Sequence, residues 1–459
     1  MGPETVLPRS RLILIRSGIF SALLGALALH DAAALAAEAD PPSLGLPCIN
    51  PAAYGADPSG ALDSTEAIVT AIRNAAWSPS SSAPGVVCLP AGHFKTTSTI
   101  AIASDYVTIQ GAGYFATLLV PAGDYGDVFY VAKAKPAPFI FGVNFANLRI
   151  YMTANPTHGA GIHFNQAHSS TITHVQVDGM FGAYDIESSV NLFFDGANSV
   201  GNNSNSGSYG YRFHRANTEA VNPSEDFVEN VNVRGLSGQS ISYALIVNDS
   251  DGIQFSNFHF GWSSGAAVLL QPQFPSDVIF GMYFGNGVFD NSRYDVYATS
   301  IPGYTGSMRL WNFTGTVFET ASLDGFYADA PALSDVIAIG DHFTLCGRHG
   351  VNVSAGTRFK FGQSIFTANN RSGEGGNHVN LAGTVKDVNV DGASYSTAMS
   401  KHAVSSNIAI SGSADQISAH AQSFSGAAGR DISMESSGRA VEVTTLGATS
   451  PGNARPPRP

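Results

Sequence analysis

The sequence is poor in charge, in basic residues and in cysteine. Charged residues make up 13% of the 459 residues, and 23 Lys and Arg stand against 35 Asp and Glu, which gives a formal net charge of −12. Nucleic acid is not expected as a partner, because its binding requires basic patches that neutralise phosphates. The three cysteines, Cys48, Cys88 and Cys346, allow at most one intramolecular disulfide, with Cys48 and Cys88 as one candidate pair, and their neighbours lack zinc-ligand spacing.

Long hydrophobic runs are also scarce. The run at 18–29 follows three arginines and precedes the small residues "ALA" at 34–36. We interpret residues 1–36 as a signal peptide cleaved near Ala36, with a retained signal anchor as the alternative. No later segment approaches the ~20 apolar residues of a membrane span. The sequence therefore predicts a secreted or periplasmic protein without a membrane span in the mature chain.

An acidic loop runs directly into an apolar-periodic segment in "AYGADPSGALDSTEAIVTAI", residues 53–72. Asp63 is expected to cap the following turn while Glu66 reaches back in a capping box. The helix has one apolar stripe, formed by Ile68, Ala71, Ile72 and Ala75. Calcium is compatible with the acidic residues but no motif supports it, because Asp57 and Asp63 do not keep EF-hand spacing. No cofactor is predicted.

From about residue 85 the chain alternates short runs of Val, Ile, Phe and Tyr with Gly, Asn, Asp and Ser. A loose repeat of about 25 to 29 residues is clearest at 287–297, 315–327, 341–353 and 363–381, where an apolar pair, a polar turn and another apolar pair recur. The tight Asn-Gly hairpins of a sandwich are scarce. The pattern predicts an all-β fold, a right-handed single-stranded parallel β-helix, whose coils stack their apolar residues inside.

The predicted organisation follows from this repeat. A signal peptide at 1–36 precedes an N-terminal cap segment at 37–84, and the β-helix occupies 85–395. The Ser-, Ala- and Gly-rich stretch at 396–446 is expected to form a C-terminal cap or extra strands, and 447–459 a disordered tail. Because an open coil end exposes apolar core and strand edges, the helix near 64–76 is expected to cover it.

Three segments carry a family resemblance: "AYGADPSGALDSTEAIVTAI" at 53–72, "GVVCLPAGHFKTTSTIAI" at 85–102 and "YVTIQGAG" at 106–113. They resemble the N-terminal signature of the pectate-lyase-like superfamily of right-handed β-helices, which includes polysaccharide lyases, polygalacturonase-related hydrolases and phage tailspike depolymerases. The resemblance implies the fold and a polysaccharide or oligosaccharide substrate. It does not imply the reaction, since the paired-aspartate and His-Gly motifs of polygalacturonases are not evident.

Candidate catalytic residues emerge when consecutive coils are aligned. With Ile162 and Phe164, Tyr184 and Ile186, and Tyr211 and Phe213 as inward pairs, two columns of polar residues face outward. One column is His163, Asp185 and Arg212, and the next is Asn165, Glu187 and His214. Asp185 or Glu187 is the candidate acid, His163 or His214 the base, and Arg212 the group that binds a carboxylate. The alternative is a solvated face whose opposite charges pair across coils.

A second candidate pair occupies matching positions in later coils. Asp290 and Glu319 each follow "VF" in consecutive repeats, an arrangement suited to glycoside hydrolysis by two carboxylates. The predicted substrate-binding residues are Tyr184, Trp262 and Arg293. Aromatic rings can stack on sugars, although aromatic residues more often fill the core. No metal ligand set is predicted.

The leading functional hypothesis is a secreted carbohydrate-active enzyme that cleaves a polysaccharide in a groove along the coils, as a glycoside hydrolase or a polysaccharide lyase. The alternative is a non-catalytic polysaccharide-binding or surface-adhesion β-helix, which the Ser- and Asn-rich stretches favour. A monomer or a homotrimer is expected.

Overall fold

The computed structural model describes residues 48–76, 85–134, 139–201, 203–216, 224–229, 232–235, 241–396, 402–423, 427–428, 431–436 and 441–445. The predicted signal peptide at 1–36 and the predicted tail at 447–459 lie outside the described residues. Within the described part of the chain, no helix is both long enough and apolar enough to cross a membrane.

Nearly all regular structure of the described residues is β. Among them a 3-10 helix spans Pro51–Tyr54 and one α-helix, α1, spans Thr65–Ala75. The strands, in chain order, are β1 (Cys48–Ile49), β2 (Ser59–Asp63), β3 (Val86–Leu89), β4 (Gly92–Thr96), β5 (Ile100–Ile102), β6 (Thr108–Gly111), β7 (Thr117–Pro121), β8 (Phe129–Val131), β9 (Ile140–Phe141), β10 (Asn144–Tyr151), β11 (Ala160–Asn165), β12 (Ala167–His168), β13 (Thr171–Asp178), β14 (Gly182–Glu187), β15 (Phe193–Asp195), β16 (Asn198–Gly201), β17 (Tyr209–His214), β18 (Ser224–Glu229), β19 (Asn232–Gly235), β20 (Ile241–Val247), β21 (Ser250–Ser256), β22 (His259–Gly261), β23 (Ser263–Leu270), β24 (Val278–Gly285), β25 (Val288–Asp290), β26 (Tyr294–Thr299), β27 (Ser307–Thr314), β28 (Val317–Glu319), β29 (Phe326–Ile339), β30 (His342–Thr344), β31 (Val351–Gly362), β32 (Ile365–Thr367), β33 (Val379–Ser396), β34 (Ile408–Gly412), β35 (Asp415–Ser423), β36 (Ile432–Ser436) and β37 (Val441–Thr445).

Every strand pairs in parallel with the equivalent strand of the next coil, which makes the fold a parallel β-helix. Three faces follow one another in each coil. The first face includes β15, β18, β21, β24 and β27, the second includes β16, β19, β22, β25 and β28, and the third includes β8, β11, β14, β17, β20, β23 and β26. Long strands such as β29, β31 and β33 pass from the third face into the first.

The sequence repeat is reproduced in the register of the second face. Phe289, Phe318, Phe343, Phe366 and Tyr395 are paired neighbours in successive coils, separated by 29, 25, 23 and 29 residues. Their rings stack with centroids 4.4 to 5.2 Å apart, and all five are buried. Because each coil places an apolar ring on the one below, the core is a continuous column rather than a closed globule.

Each coil bends at fixed positions through residues in the left-handed backbone region. The bend after the first face uses Asn257, Asn286, Gly315, Gly340 and Gln363, with φ between 51° and 71°. Asparagine and glycine adopt this conformation most readily, which explains why the sequence punctuates its strands with them.

Helix α1 forms where the apolar periodicity predicts it, with Ile68 and Ile72 at 0% and 2% exposure. It packs against β1, β3 and β5. Its role as the cover of the coil end stays a prediction. The predicted capping box does not form: Ser64 is the N-cap residue, and the Glu66 carboxylate instead pairs with the Arg73 guanidinium at 3.1 Å. Both side chains are exposed, and the arginine takes the carboxylate that the capping box would have used at the start of the helix.

The acidic loop before α1 is a turn. The Asp57 carboxylate accepts hydrogen bonds from the backbone N–H groups of Ser59 and Leu62 at 2.9 and 2.8 Å. These donors lower the pKa of Asp57 to about 2. Asp63 accepts from the N–H of Thr65 at 3.0 Å, so the two aspartates organise the entrance to the helix.

Strand pairing extends on both sides of the predicted 85–395 boundary. β1 pairs with β3 and β2 with β4, so part of the 37–84 segment is built into the first coil. At the other end, β34 to β37 continue the parallel stack as far as Thr445. A disulfide joins Cys48 and Cys88 across β1 and β3, while Cys346 is a buried free thiol.

Candidate active site on the third face

The two predicted columns lie side by side on the third face. His163 pairs with Asp185 and Asp185 with Arg212, while Asn165 pairs with Glu187 and Glu187 with His214. The predicted inward partners are buried, with Ile162, Phe164, Tyr184, Ile186, Tyr211 and Phe213 all at 0% or 1% exposure. Strand alternation therefore drives the polar residues outward, and parallel pairing brings them into contact across coils.

His163 lies between two carboxylates. Its Nδ1 is 2.8 Å from Asp127 Oδ2, and its Nε2 is 3.1 Å from Glu187 Oε2. Burial by itself lowers the pKa of His163, but the hydrogen bonds to Asp127 and Glu187 and the charge of Asp185 raise it to about 10. His163 is therefore protonated at neutral pH, and it is held rigidly because Asp127 also accepts the N–H of Ala160 at 2.7 Å.

Asp185 is the centre of the second group of contacts. His214 Nε2 lies 2.9 Å from its Oδ1, and the Tyr209 hydroxyl donates to its Oδ2 at 2.8 Å. Burial tends to raise the pKa of Asp185, but His214, then His163 and Arg212, hold that pKa well below its usual range. Asp185 is thus an ionised carboxylate, so it is poorly suited to the role of general acid that the sequence left open for it.

Arg212 completes the cluster with a different kind of partner. Its Nε donates to Asn248 Oδ1 at 3.1 Å, and its Nη2 donates to Gln273 Oε1 at 3.2 Å. Both acceptors are neutral amides. They orient the guanidinium without neutralising its charge, which keeps it available for an anionic group of a ligand.

The cluster also contains one set of metal-type donors. His163, Glu187 and His214 each offer one ligand atom, and the three atoms lie within 4.8 Å of one another. Their side chains are 14%, 17% and 12% exposed, so each is partly accessible to solvent.

The alternative pair is also in register, since Asp290 pairs with Glu319 on the second face. Asp290 leans over Gly261 of the preceding coil, where a Cβ would lie 1.8 Å from its Oδ1. It lies 3.0 Å from His259 Nε2 and accepts from Asn291 Nδ2 at 3.0 Å. This carboxylate is 8% exposed. The second face therefore presents a carboxylate pair in which one member is already engaged.

The three predicted substrate-binding residues have different fates. Tyr184 cannot contact a glycan, because it is fully buried and its hydroxyl donates to the Val175 and Asn198 carbonyls. Its alternation with Asp185 places it inside, so that prediction is wrong. Trp262 is half-buried at a bend with φ of 56°, next to Asp290 rather than to the His163 cluster. Arg293 is exposed, and its guanidinium lies 5.6 Å from the centroid of the Tyr294 ring.

Sequence reasoning missed Tyr209 and Asp127. Tyr209 shares the parity of the inward Tyr211, yet it reaches outward because it opens the strand over Gly182, where a Cβ would lie 2.4 Å from its ring. The signal in the sequence was Gly182, the glycine that pairs with Tyr209 of the next coil. Asp127 precedes β8 and lies 36 residues before His163, so only coil stacking connects them.

The outward column of Asp185 continues as an apolar and aromatic stripe. Its members, in coil order, are Tyr130, His163, Asp185, Arg212, Ile246, Leu269, Tyr297 and Tyr327. Tyr294, Tyr297 and Tyr327 stack on one another with centroids 5.1 to 5.5 Å apart. Ile246 and Leu269 are buried in a small hydrophobic cluster, whereas Tyr297 and Tyr327 are half-buried, so the charged cluster continues along the helix axis into packed apolar side chains.

A depression of about 390 Å³ lies elsewhere, lined by Tyr114, His174, Val175, Asp195, Gly196 and Asn198. It combines one imidazole with one carboxylate. The third-face cluster joins two imidazoles, three carboxylates, a phenol and a guanidinium, so it offers more acid–base chemistry than this depression.

Comparison with known proteins agrees with this architecture. Residues 48–263 match the sequence profile of the family described as rhamnogalacturonase A/epimerase, pectate lyase-like. No curated protein matches the chain in sequence.

Three solved structures illustrate the likeness in fold. The catalytic unit of an α-1,3-glucanase of family GH87 from Streptomyces thermodiastaticus is 13% identical over 90% of this chain and 71% of its own, with a TM-score of 0.53. The adhesin PfbA of Streptococcus pneumoniae is 12% identical over 83% and 93%, with a TM-score of 0.54. The family 28 exopolygalacturonase of Yersinia enterocolitica is 9% identical over 87% and 80%, with a TM-score of 0.52.

At these identities the solved structures share the fold alone. The sequence profile and the stacked parallel strands agree on a pectate-lyase-like fold. Residues 48–263 are thus similar to the pectate-lyase-like family, and the described coils share the parallel β-helix fold of these solved structures.

Proposed function

We propose that this protein is a secreted enzyme that cleaves an acidic polysaccharide at the third-face cluster by β-elimination. The observation that carries the proposal is the convergence of Arg212, His214 and the protonated His163 around Asp185. Glycan-acting proteins such as the glucanase and the exopolygalacturonase share the fold, which supports a polysaccharide substrate.

β-Elimination requires three functions from the protein. A cationic group pairs with the uronate carboxylate, a base removes the proton from the neighbouring carbon, and an acid protonates the departing glycosidic oxygen. The product carries a new carbon–carbon double bond conjugated with its carboxylate. In our proposal Arg212 binds the carboxylate and His163 donates a proton. Neutral His214 keeps its Nε2–H on Asp185, which Tyr209 holds in place, and takes the substrate proton at Nδ1 once that nitrogen turns from the Arg215 carbonyl.

Hydrolysis fits this cluster less well. It requires a carboxylic acid that stays protonated near neutral pH and faces the substrate. Asp185 has a pKa below its usual range and both of its oxygens are engaged. Glu187 already accepts from His163. Arg212, by contrast, is oriented by two neutral amides, which suits the capture of a substrate carboxylate.

The stripe beyond Arg212 supports binding of a chain rather than of a single sugar. The half-buried Tyr297 and Tyr327 continue the outward column along the helix axis, beyond the buried Ile246 and Leu269. Neighbouring coils lie about 4.8 Å apart, so each sugar unit of an extended polysaccharide would span roughly one coil. Apolar sugar faces pack well on such a surface.

The test incubates the full chain with a panel of neutral and uronate polysaccharides and follows reducing ends together with ultraviolet absorbance of the unsaturated product. Asp185→Asn and His214→Ala should each lower turnover by about 100-fold or more, because each removes a group that transfers or positions a proton. His420→Ala is the matched control, since His420 forms a similar imidazole–carboxylate pair with Asp391 at 2.8 Å on a different face. Unchanged turnover in both cluster variants would refute the assignment.

The second candidate is hydrolysis at Asp290 and Glu319, which their direct register favours. Reducing ends without ultraviolet absorbance, abolished by Asp290→Asn or Glu319→Gln, would select it. A non-catalytic glycan-binding protein is the remaining alternative, and the adhesin of similar fold favours it. Binding to a polysaccharide that is never cleaved would select that alternative.

A further inference from the structure

We propose that His163, Glu187 and His214 form a binding site for a divalent transition-metal ion of the zinc type. The three residues lie on β11, β14 and β17, adjacent strands of one rigid face, and their donor atoms lie within 4.8 Å of one another. Zinc–nitrogen bonds of about 2.0–2.1 Å place tetrahedral ligands roughly 3.3–3.5 Å apart, so small side-chain rotations close the site.

Both imidazoles are arranged as metal ligands usually are. His163 turns Nδ1 away toward Asp127 at 2.8 Å, and His214 turns Nδ1 away toward the Arg215 carbonyl at 3.1 Å. Each ring thereby directs Nε2 into the cluster, where His163 meets Glu187 at 3.1 Å and His214 meets Asp185 at 2.9 Å. Metal-binding histidines characteristically donate their second N–H to a carboxylate or a backbone carbonyl.

The outer contacts are themselves fixed. Asp127 accepts the Ala160 N–H at 2.7 Å, which sets the orientation of the carboxylate that holds His163. Asp185 is held by the Tyr209 hydroxyl at 2.8 Å and in turn contacts His214 at 2.9 Å. Such support reduces the ordering that an arriving ion must impose.

The donor set decides the class of ion. Two imidazole nitrogens and one carboxylate suit Zn²⁺, Co²⁺, Ni²⁺ or Cu²⁺, whereas Ca²⁺ and Mg²⁺ prefer sites made of oxygen atoms. Three protein ligands leave at least one coordination position for water or a ligand oxygen. The site takes as ligands His163 and His214, the acid and base of the proposed cleavage, so an occupied site and that cleavage exclude each other. It would exist equally in a protein that only binds glycans.

The alternative is a pure ion-pair network, in which every imidazole nitrogen keeps a proton. The two arrangements satisfy the same carboxylates, since one divalent ion replaces the two Nε2 protons that face Glu187 and Asp185. They differ in an observable way, because only the metal site takes up an ion and releases protons as it does so.

The experiment titrates Zn²⁺ and Co²⁺ into the full-length protein after treatment with a chelator that is then dialysed away. Calorimetry and the visible absorbance of Co²⁺ report the binding. We expect one ion per chain, Co²⁺ displaced by Zn²⁺ and no displacement by Ca²⁺. His214→Gln and Glu187→Gln should each weaken binding by at least about 100-fold, and Asp127→Asn by about 10 to 100-fold because it removes only the outer support.

His420→Gln is the matched control, because it removes a surface imidazole paired with a carboxylate while leaving the three ligands intact. It should leave the stoichiometry and affinity unchanged. Far-ultraviolet circular dichroism checks that each variant is folded, and Glu187→Gln keeps the shape of the side chain should a histidine variant fail to fold. No bound ion at millimolar Zn²⁺, or equal affinity in the wild type and Glu187→Gln, would overturn the proposal.

Discussion

The substitution Asp341→Asn tests the polar column that runs inside the corner between the first and second faces. Thr316, Asp341 and Ser364 follow the bend in successive coils and are buried, with Asp341 at 1% exposure. Asp341 Oδ1 accepts the Thr316 N–H at 2.7 Å, and its Oδ2 has no hydrogen-bond partner among the described residues. An asparagine keeps the acceptor and the shape but cannot ionise.

The size of the effect follows from the pKa. Burial raises the pKa of Asp341 from 3.8 to about 7, against the opposing hydrogen bond from Thr316. At a pH below 3.8, the pKa in the unfolded chain, the carboxyl is protonated in both the folded and the unfolded state, and the free energy of unfolding does not depend on its titration. As the pH rises through the interval up to about 7, the unfolded chain loses the proton first, so the free energy of unfolding falls. A difference of about 3 in pKa corresponds to at most about 4 kcal/mol.

Asp341→Asn should therefore gain stability over the wild type as the pH rises, with a difference that grows to as much as about 4 kcal/mol by pH ~8. Denaturant unfolding followed by the fluorescence of the buried Trp311 measures it at a series of pH values. Ser364→Ala is the control, because it removes the acceptor of the Asp341 N–H, 3.4 Å away, without removing a titrating group. A difference between Asp341→Asn and the wild type that stays the same from pH ~5 to pH ~8 would refute the reasoning.

Two further predictions concern the N-terminal coils. Ile68→Asp should lower the free energy of unfolding by about 2 kcal/mol or more, because it buries a carboxylate without a partner. Arg73→Ala, at an exposed position of α1, should change it little, and equal melting midpoints for the two variants would contradict the packing role of the helix. Replacing Cys48 and Cys88 together by serine should cost about 4 kcal/mol, since the disulfide closes a loop of 40 residues in the unfolded chain. Midpoints that do not respond to a reducing agent would count against that contribution.

The arrangement of the candidate site could be predicted where strand alternation alone governs it. Ile162 and Phe164 point inward because both are apolar, so His163 between them must point outward. Similar coil lengths then place Asp185 and Arg212 beside it, as the pairing confirms. What these side chains do stays a prediction, because alternation determines position and not chemistry.

Contacts that cross coils at their corners could not be predicted in the same way. Tyr209 begins its strand where the backbone leaves a bend, so the parity rule that places Tyr211 inside fails for it. Asp127 reaches His163 across 36 residues. Glu66 pairs with Arg73 instead of capping its helix, and both side chains are exposed, so burial does not fix the partner of Glu66.

The sequence by itself determined the coil. Its two-residue alternation, its repeat of roughly 25 residues and its asparagine and glycine bends specify stacked parallel strands with aromatic columns inside, since these features act locally in every coil. Only the tertiary structure decided the electrostatics of the third face. Protonation of His163, ionisation of Asp185 and the neutral anchoring of Arg212 each depend on partners from other coils. Partners of that kind are set by the stacking of whole coils in three dimensions, which no local pattern encodes.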